Sequence, residues 1–368
     1  MKNSEKKTTS NLIRKLFLFI PIGVVVNLGF TYFVSEDSIS TLLYSFSPGF
    51  LLIATVLGIT PWCTHSCRLK LWTHFLGENL TWRDAFKSVL GCELGAAVSP
   101  TAVGGGPVKF GILLEKGIKP GTALSLTTLG SVEDAVFFSI AIPIVFTVTS
   151  SWTFVDVSGF IGRFDHPWLA VATAVGIVVA LGLLFRWLLR AFNRRSRMRK
   201  HFGIREKLRG IGADARLVYT LISKRGKLLF SFSLILTAIH WVSRYSIVLV
   251  LLKGLQVEFD PLLFFALQWV VAGMTVFAPT PGAAGGAELS FYLVYKSFIP
   301  EKLIGVTIAG WRLLTFYAVQ LIGAILFGII LYIERRDSKQ VDDISRAKNH
   351  NDLDREEKDV PSLQAAEG

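Results

Sequence analysis

The sequence predicts an all-α polytopic membrane protein, with about six transmembrane helices plus two re-entrant helical hairpins arranged as an inverted-topology repeat. Three observations carry this. Of 368 residues, 51% are hydrophobic and 18% charged, against about 25% charged in ordinary soluble domains. Residues 16–34, 41–67, 167–185, 261–287 and 313–333 contain no Asp, Glu, Lys or Arg, and a helix needs about 20 apolar residues to cross a bilayer. Residues 121–155 are interrupted only by Glu133 and Asp134, and residues 228–252 only by Arg244.

Taken in order, residues 1–15 form a basic cytoplasmic tail, with Lys2, Lys6, Lys7, Arg14 and Lys15 ahead of the first apolar run. That run has no small-x-small cleavage signal before Ser35, so it reads as an uncleaved anchor and not a signal peptide. The membrane domain extends over 16–333, with halves at about 41–149 and 220–333. A basic loop occupies 192–226, and a polar tail, 334–368, is expected to lack fixed structure. Cys63, Cys67 and Cys92 are an odd set within apolar segments, which supports no disulfide framework.

Basic residues outnumber acidic ones, 39 to 27, for a net charge of +12. They lie between apolar tracts and not on a soluble face, so topology explains them and nucleic acid does not. The N-terminal tail holds five, Arg68 to Lys87 four, Arg186 to Lys227 fourteen and the residues from Arg335 seven. The positive-inside rule puts all four groups, and both termini, on the cytoplasmic side of the cell membrane.

The stretches 84–149 and 260–333 are too long for one crossing, and each contains a Pro/Gly-rich break. The first runs from Pro100-Thr101 through Gly104-Gly105-Gly106-Pro107, the second from Pro279-Thr280-Pro281-Gly282 through Gly285-Gly286. Proline and clustered glycine do not sustain a helix, so each stretch reads as a re-entrant dip before a true crossing. Such backbone survives at membrane depth only when buried in protein or lining a wet cavity. An offset of 179 residues aligns Pro100 with Pro279, Trp62 with Trp241, Lys109 with Glu288 and Glu133 with Arg312. Opposite directions of entry are what an inverted repeat requires.

Charges at membrane depth mark function by default. Here they are Glu93, Lys109, Glu133, Asp134, Arg244, Glu288 and Arg312. At 1.5 Å per residue, Glu133 lies about 18 Å into a helix beginning near Gly121, and Arg312 about 16 Å into one beginning near Glu301. Pairing of Glu133 or Asp134 with Arg312, and of Lys109 with Glu288, would pin the halves together. Alternatively, the glycine breaks expose backbone N–H groups, and Lys109, Arg244 and Arg312 add full positive charge, which suits an anion such as a phosphate-bearing headgroup.

These residues also carry a family likeness. The run Ser-Pro-Thr-Ala-Val-Gly-Gly-Gly-Pro-Val-Lys from Ser99 to Lys109, then Glu115-Lys116-Gly117, Glu133-Asp134, Pro-Thr-Pro-Gly-Ala-Ala-Gly-Gly-Ala-Glu from Pro279 to Glu288, and Arg312 resemble the flippase-like family that includes the transmembrane region of lysylphosphatidylglycerol synthases. The likeness spans roughly 10–333. Members often have an acidic residue and Arg where this chain has Pro107 and Lys109, and Arg beside the Glu133 position where it has Val132 and Asp134. The resemblance implies a multi-pass inner-membrane protein that moves a lipid between leaflets. The best-known relatives add a soluble domain that aminoacylates phosphatidylglycerol, whereas only 35 polar residues follow Ile333, too few for a catalytic domain.

The candidate lipid-binding set is therefore Pro100, Gly104, Gly105, Gly106, Lys109, Glu133, Asp134, Arg244, Pro279, Pro281, Gly285, Gly286, Glu288 and Arg312. The expected partner is a membrane lipid with an anionic or phosphate-bearing headgroup: a phospholipid, aminoacyl-phospholipid or polyprenyl phosphate. No cofactor, metal or catalytic residue is expected, and a homo-oligomer and a separate lipid-modifying enzyme stay open as partners. Cys63-Thr64-His65-Ser66-Cys67 reads as helix packing, because His65 is turned about 200° from Cys63 on a helix. Gly104–Gly106 lack the Gly-Lys-Ser/Thr ending of a P-loop. Residues 192–227 suit a basic surface helix with Leu208, Ile211, Ala215 and Val218 as its apolar stripe. Two other functions fit less well. A secondary transporter of a small soluble anion would share the cationic interior, and an intramembrane enzyme would have to recruit His65, His74 and Glu133-Asp134.

Overall fold

A computed structural model describes residues 48–99, 102–148, 202–278 and 280–359, all of them helical or in the turns between helices. The helices are α1 (Pro48–Phe75), α2 (Trp82–Ala97), α3 (Gly105–Glu115), α4 (Pro120–Val148), α5 (Phe202–Arg225), α6 (Lys227–Gly254), α7 (Pro261–Thr275), α8 (Gly286–Tyr295), α9 (Glu301–Arg312) and α10 (Ala318–Asp359). A π-turn, Leu313–Tyr317, joins the last two. The chain up to Leu321 forms one compact unit and Ile322 onward a second.

The expected six crossings with two re-entrant hairpins in an inverted repeat need correction. Among the described residues four helices are long and apolar enough to cross a membrane: Pro48–Phe75, Pro120–Val145, Lys227–Gly254 and Glu301–Asp337. The apolar runs 16–34 and 167–185 lie outside the described residues. The charge pairs that the repeat would impose are absent as well. Glu133 bonds to Arg68 and Glu288 to Arg312.

Local signals set the ends of these helices. Thr81 caps α2, accepting the Asp84 N–H at 3.1 Å, and Asp260 caps α7 with Pro261 at its first turn. Three helices stop in the same way, with a residue of positive φ followed by an N–H that bonds back five residues. These are Gly77 after α1 (Glu78 N to Thr73 O, 2.9 Å), Gly117 after α3 (Ile118 N to Leu113 O, 3.2 Å) and Gln256 after α6 (Val257 N to Leu252 O, 3.0 Å). Beyond Ile333, α10 continues to Asp359. No Gly or Pro interrupts 329–360, and Asp342/Arg346, Asp354/Lys358 and Arg355/Asp359 have the four-residue spacing of opposite charges that favours a helix.

Two of the long helices expose apolar side chains and bury polar ones over part of their length. On α6, Phe232, Ile235, Ile239 and Val242 are exposed while Ser233, Thr237, His240 and Ser243 are buried. On α1, Leu52, Ile53 and Val56 face outward and Thr64, Ser66, Arg68 and Thr73 are buried. Water would favour the opposite arrangement; a hydrocarbon solvent favours this one. The chain is a multi-pass membrane protein.

Two apolar cores fill the compact unit. One joins Ile247 and Leu251 of α6, Phe264 of α7, Phe291 and Tyr295 of α8, and Ile308 and Trp311 of α9. Its rings are closely placed, with Phe291 and Tyr295 stacked at 4.4 Å, and the buried Tyr295 hydroxyl donates to Phe264 O and accepts from Gln268 Nε2. The other joins Leu69 and Trp72 of α1, Leu80, Ala85 of α2, Leu113 of α3, Leu126 and Leu129 of α4, and Ile222 of α5. Basic α5 therefore turns Ala215, Val218 and Ile222 to protein, and Ser125 and Thr128 of α4 bond to Ala215 O and to the Tyr219 hydroxyl.

The pair α2/α3 is joined at both ends. Lys116 lies 2.7 Å from Asp84, and Lys87 3.1 Å from Glu115. Burial opposes ionisation of Asp84, but the bonds from Lys116 and Thr81 outweigh it and hold the carboxyl below its ordinary range. The Glu115-Lys116-Gly117 motif thus supplies two ion-pair partners and a turn. At the other end glycines permit close approach: a Cβ on Gly104 would lie 2.6 Å from Gly95 O, and one on Gly105 2.7 Å from Cys92 O. Gly105→Val should therefore destabilise the protein by about 1–3 kcal/mol. Gly111→Ala, with nothing within 4 Å of the new Cβ, should be neutral or stabilising. Thermal unfolding of the two purified variants checks the contrast, and equal losses would refute it.

Candidate functional site

A polar cluster forms where α1, α4 and α6 meet. His65, Arg68 and Trp72 share one face of α1, and Ser233, Thr237, His240 and Arg244 share one face of α6. Between them α4 presents Glu133. Arg68 Nε donates to Glu133 Oε2 at 2.8 Å and its Nη2 donates to the same oxygen and to Gly130 O. Trp72 Nε1 donates to Oε1 at 2.7 Å, and the Ser233 hydroxyl donates to that oxygen too. Both oxygens of this fully buried carboxylate are thus occupied by donors from two other helices.

Asp134, the next residue, is placed differently. Its side chain is 27% exposed, its Oδ1 accepts from Trp241 Nε1 at 3.1 Å, and Arg68 Nη1 is 3.6 Å away, in ion-pair range but without a hydrogen bond. Arg68 Nη1 is consequently a buried donor with no hydrogen-bond partner among the described residues. His240 is in the same position at Nδ1, and its ring lies 4.7 Å from the His65 ring.

Two more cations address this cluster. Lys109 of α3 is half-buried and acts electrostatically on His65 together with Arg68 and Arg244, and Arg68, Glu133 and Asp134 act on it in turn. Arg244 of α6 acts on both histidines. Neither has a hydrogen bond or ion pair among the described residues. The cluster thus combines one saturated carboxylate, one accessible carboxylate, two unpaired cations and an orphaned guanidinium nitrogen. Such an excess of donors suits an anion with several acceptor oxygens.

A second group surrounds the other break. Glu288 is fully buried; its Oε2 accepts the Gly285 N–H at 2.8 Å and its Oε1 accepts from Arg312 Nε at 2.8 Å. Arg312 Nη2 donates to Gly282 O at 2.8 Å, and its guanidinium lies over the Phe316 ring at 4.7 Å. Gly282 and Gly285 have φ of 62° and 81°, and a Cβ on Gly282 would fall 2.3 Å from the Phe316 ring. The π-turn after Arg312 supplies Tyr317, whose hydroxyl is 3.5 Å from Glu288 Oε1. Here the charges satisfy one another and the backbone of the turn.

Of the residues expected from sequence, the structure therefore brings Lys109, Glu133, Asp134 and Arg244 together, and Glu288, Arg312, Gly285, Gly286 and Pro281 together elsewhere. The expected contacts of Lys109 with Glu288 and of Glu133 with Arg312 do not exist. Gly104 and Gly105 serve the α2/α3 approach, and the Gly104 N–H is taken by the Ser99 hydroxyl at 2.8 Å; Gly106 is uncrowded. Pro100 and Pro279 lie outside the described residues. Sequence reasoning missed Arg68, Trp72, Ser233, His240 and Trp241, and it set His65 aside as packing. The facing polar stripes on two apolar helices were the signal available for them. Among the described residues no three His, Cys, Asp or Glu side chains gather as metal ligands.

Comparison with known proteins covers nearly all of this architecture. The chain is 24% identical over 324 residues to a UPF0104 membrane protein of Archaeoglobus fulgidus, covering 83% of this chain and 94% of that protein. The profile described as "Lysylphosphatidylglycerol synthase TM region" matches residues 19–323, which include both charged groups and every helix from α1 to α9. The chain belongs to the lysylphosphatidylglycerol synthase transmembrane-region family.

Proposed function

We propose that this protein is a lipid flippase or lipid-export factor, and that it receives the phosphate of an anionic headgroup at Arg68, Lys109 and Arg244. Family membership supports lipid handling. One observation supports the phosphate: Arg68 is buried with no hydrogen bond at Nη1 among the described residues, beside two cations that have no hydrogen bond or ion pair among those residues either. A phosphate offers several acceptor oxygens to these groups and offsets their charge. Asp134, with one donor and partial exposure, offsets part of their positive charge, while Glu133 holds Arg68 in orientation. Glu288 and Arg312, with Pro281, Gly285 and Gly286, fix the second break, which gives the first group a rigid neighbour. The cationic interior also suits a soluble anion, so the lipid is the point to test.

The protein acts in the cell inner membrane with both termini cytoplasmic. The loop after α1 and basic α5 face the cytoplasm on this reading, because the basic residues concentrate there.

The test uses the full chain in vesicles containing a headgroup-accessible fluorescent phosphatidylglycerol. Wild type should expose inner-leaflet probe to a membrane-impermeant quencher. Lys109→Gln and Arg244→Gln, at equal folded protein, should each slow this by about 10–100-fold, the equivalent of about 1.5–3 kcal/mol for a charge-assisted bond. Unchanged rates in both variants would overturn the assignment.

A further inference from the structure

We propose that basic α5 docks on an anionic phospholipid leaflet, with Leu217, Leu221 and Leu228 against acyl chains and Arg216, Lys224, Arg225 and Lys227 at the phosphates. This surface is separate from the charged cluster and does not depend on what that cluster binds. The stripe expected from sequence, with Ala215 and Val218, is not the one left open. Ala215 and Ile222 are buried, Val218 packs against the second core, Ala215 O accepts from Ser125 of α4, and the Tyr219 hydroxyl lies 2.7 Å from Thr128. Leu217 and Leu221 stand about 200° and 240° around the axis from Ala215, on the side away from α4, and are 69% and 37% exposed. Leu228, at the start of α6, is 87% exposed.

The leucines continue a surface that already faces hydrocarbon. From Leu228 the exposed side chains Phe232, Ile235, Ile239 and Val242 follow at steps of four, three, four and three residues, one face of a helix. In the other direction the same steps reach Lys224, Leu221 and Leu217, so that Lys224 is the one polar member of the series. Between the helices stands Gly226, whose N–H bonds to Ile222 O and whose carbonyl accepts the Phe230 N–H, both at 2.8 Å. The lipid-facing stripe of α6 therefore runs back onto α5.

Charge then selects the kind of lipid. Arg216, Lys224, Arg225 and Lys227 are exposed and have no ion pair among the described residues. Asp214 is the single acid from Gly210 to Leu228. Long basic side chains lay their methylenes along apolar surface and carry the charge to the headgroups, and each Lys or Arg held near an anionic leaflet adds attraction. A second copy of this face would set the same cations against one another. A phospholipid layer supplies both the hydrocarbon that the leucines need and the phosphates that the cations need.

The experiment places the photo-crosslinking residue p-benzoylphenylalanine at Leu221 of the full chain, in vesicles of phosphatidylcholine mixed with phosphatidylglycerol, and identifies the adducts by mass spectrometry. The same probe at Ile235 of α6 gives the yield of a hydrocarbon-facing position, and at Asn79, exposed between α1 and α2, that of a position outside the stripe. Leu221 should give phospholipid adducts at a yield closer to Ile235 than to Asn79. Phosphatidylglycerol should be enriched among them about fivefold over its share of the vesicle, the factor that one Lys or Arg near an anionic surface confers. Combining Arg216→Gln, Lys224→Gln and Arg225→Gln should return the adducts to the vesicle ratio without changing melting, and high salt should do the same to the unsubstituted face. Adducts only at the Asn79 level, crosslinks to a second copy in place of lipid, or phosphatidylglycerol at its vesicle share with all cations present would each overturn the proposal. Enrichment that survives both the triple substitution and high salt would overturn the role of these cations.

Discussion

Glu133→Ala should cost about 3–5 kcal/mol of stability, while Asp134→Asn, one residue along, should leave folding nearly unchanged and stop lipid movement. The first figure is the usual loss when one partner of a buried pair is removed and the other stays behind. Arg68 is 3% exposed, and without Glu133 its guanidinium would keep a single bond, to Gly130 O. Trp72 and Ser233 would lose their acceptor as well. Asp134 has only the Trp241 bond and a longer approach to Arg68, and asparagine keeps an acceptor for the indole. What it removes is the accessible negative charge beside Arg68. Melting temperature of purified variants measures the first effect and quencher accessibility of labelled lipid in vesicles the second. Equal destabilisation by both substitutions would deny the division between saturated and accessible carboxylates.

Reversing the charges of Glu288 and Arg312 should fail to restore a protein broken by either single change. A simple pair would recover on reversal, but this one is tied to the backbone at both ends. Glu288 accepts the Gly285 N–H, which an arginine there cannot do, and Arg312 donates to Gly282 O, where a glutamate would repel the carbonyl. Glu288→Leu and Arg312→Met should each lose about 3–5 kcal/mol, and the reversed double variant should be no more stable than the weaker single one. Folded yield after detergent extraction together with thermal melting reads the outcome; substantial rescue would show that the pair's charge matters and its backbone bonds do not.

Much of this was legible in the sequence, and the gaps have physical causes. The apolar runs at 41–67, 121–155, 228–252 and 313–333 correspond to α1, α4, α6 and the helix ending in α10, because 20 apolar residues admit few alternatives. The intramembrane charges Lys109, Glu133, Asp134 and Arg244 were likewise visible. Arg68 was not, because it is the first charge after a long apolar run and so reads as the start of a loop. Yet α1 continues seven residues beyond it, to Phe75, and the stop is at Gly77. His240 escaped for another reason: histidine carries no charge in a count of ions, so it appears only when the helix faces are drawn. The internal offset misled because sequence spacing aligns positions, whereas ion pairs follow whichever helices touch, and α1, absent from the imagined pairing, supplied the partner of Glu133.

The π-turn between Arg312 and Tyr317 has a consequence for how the sequences of this family can diverge in length. A π-turn holds one residue more than the α-helical path between the same neighbours, and each residue turns an α-helix by about 100°. Removing a single residue from 313–317 would restore regular winding but swing Tyr317 and everything after it about 100° around the axis, taking the hydroxyl away from Glu288. The extra residue is therefore worth retaining only where an acid stands at the Glu288 position. Relatives that have exchanged that acid for an apolar side chain are expected to be one residue shorter in this turn, so that a single-residue gap at this place records the loss of the clasp.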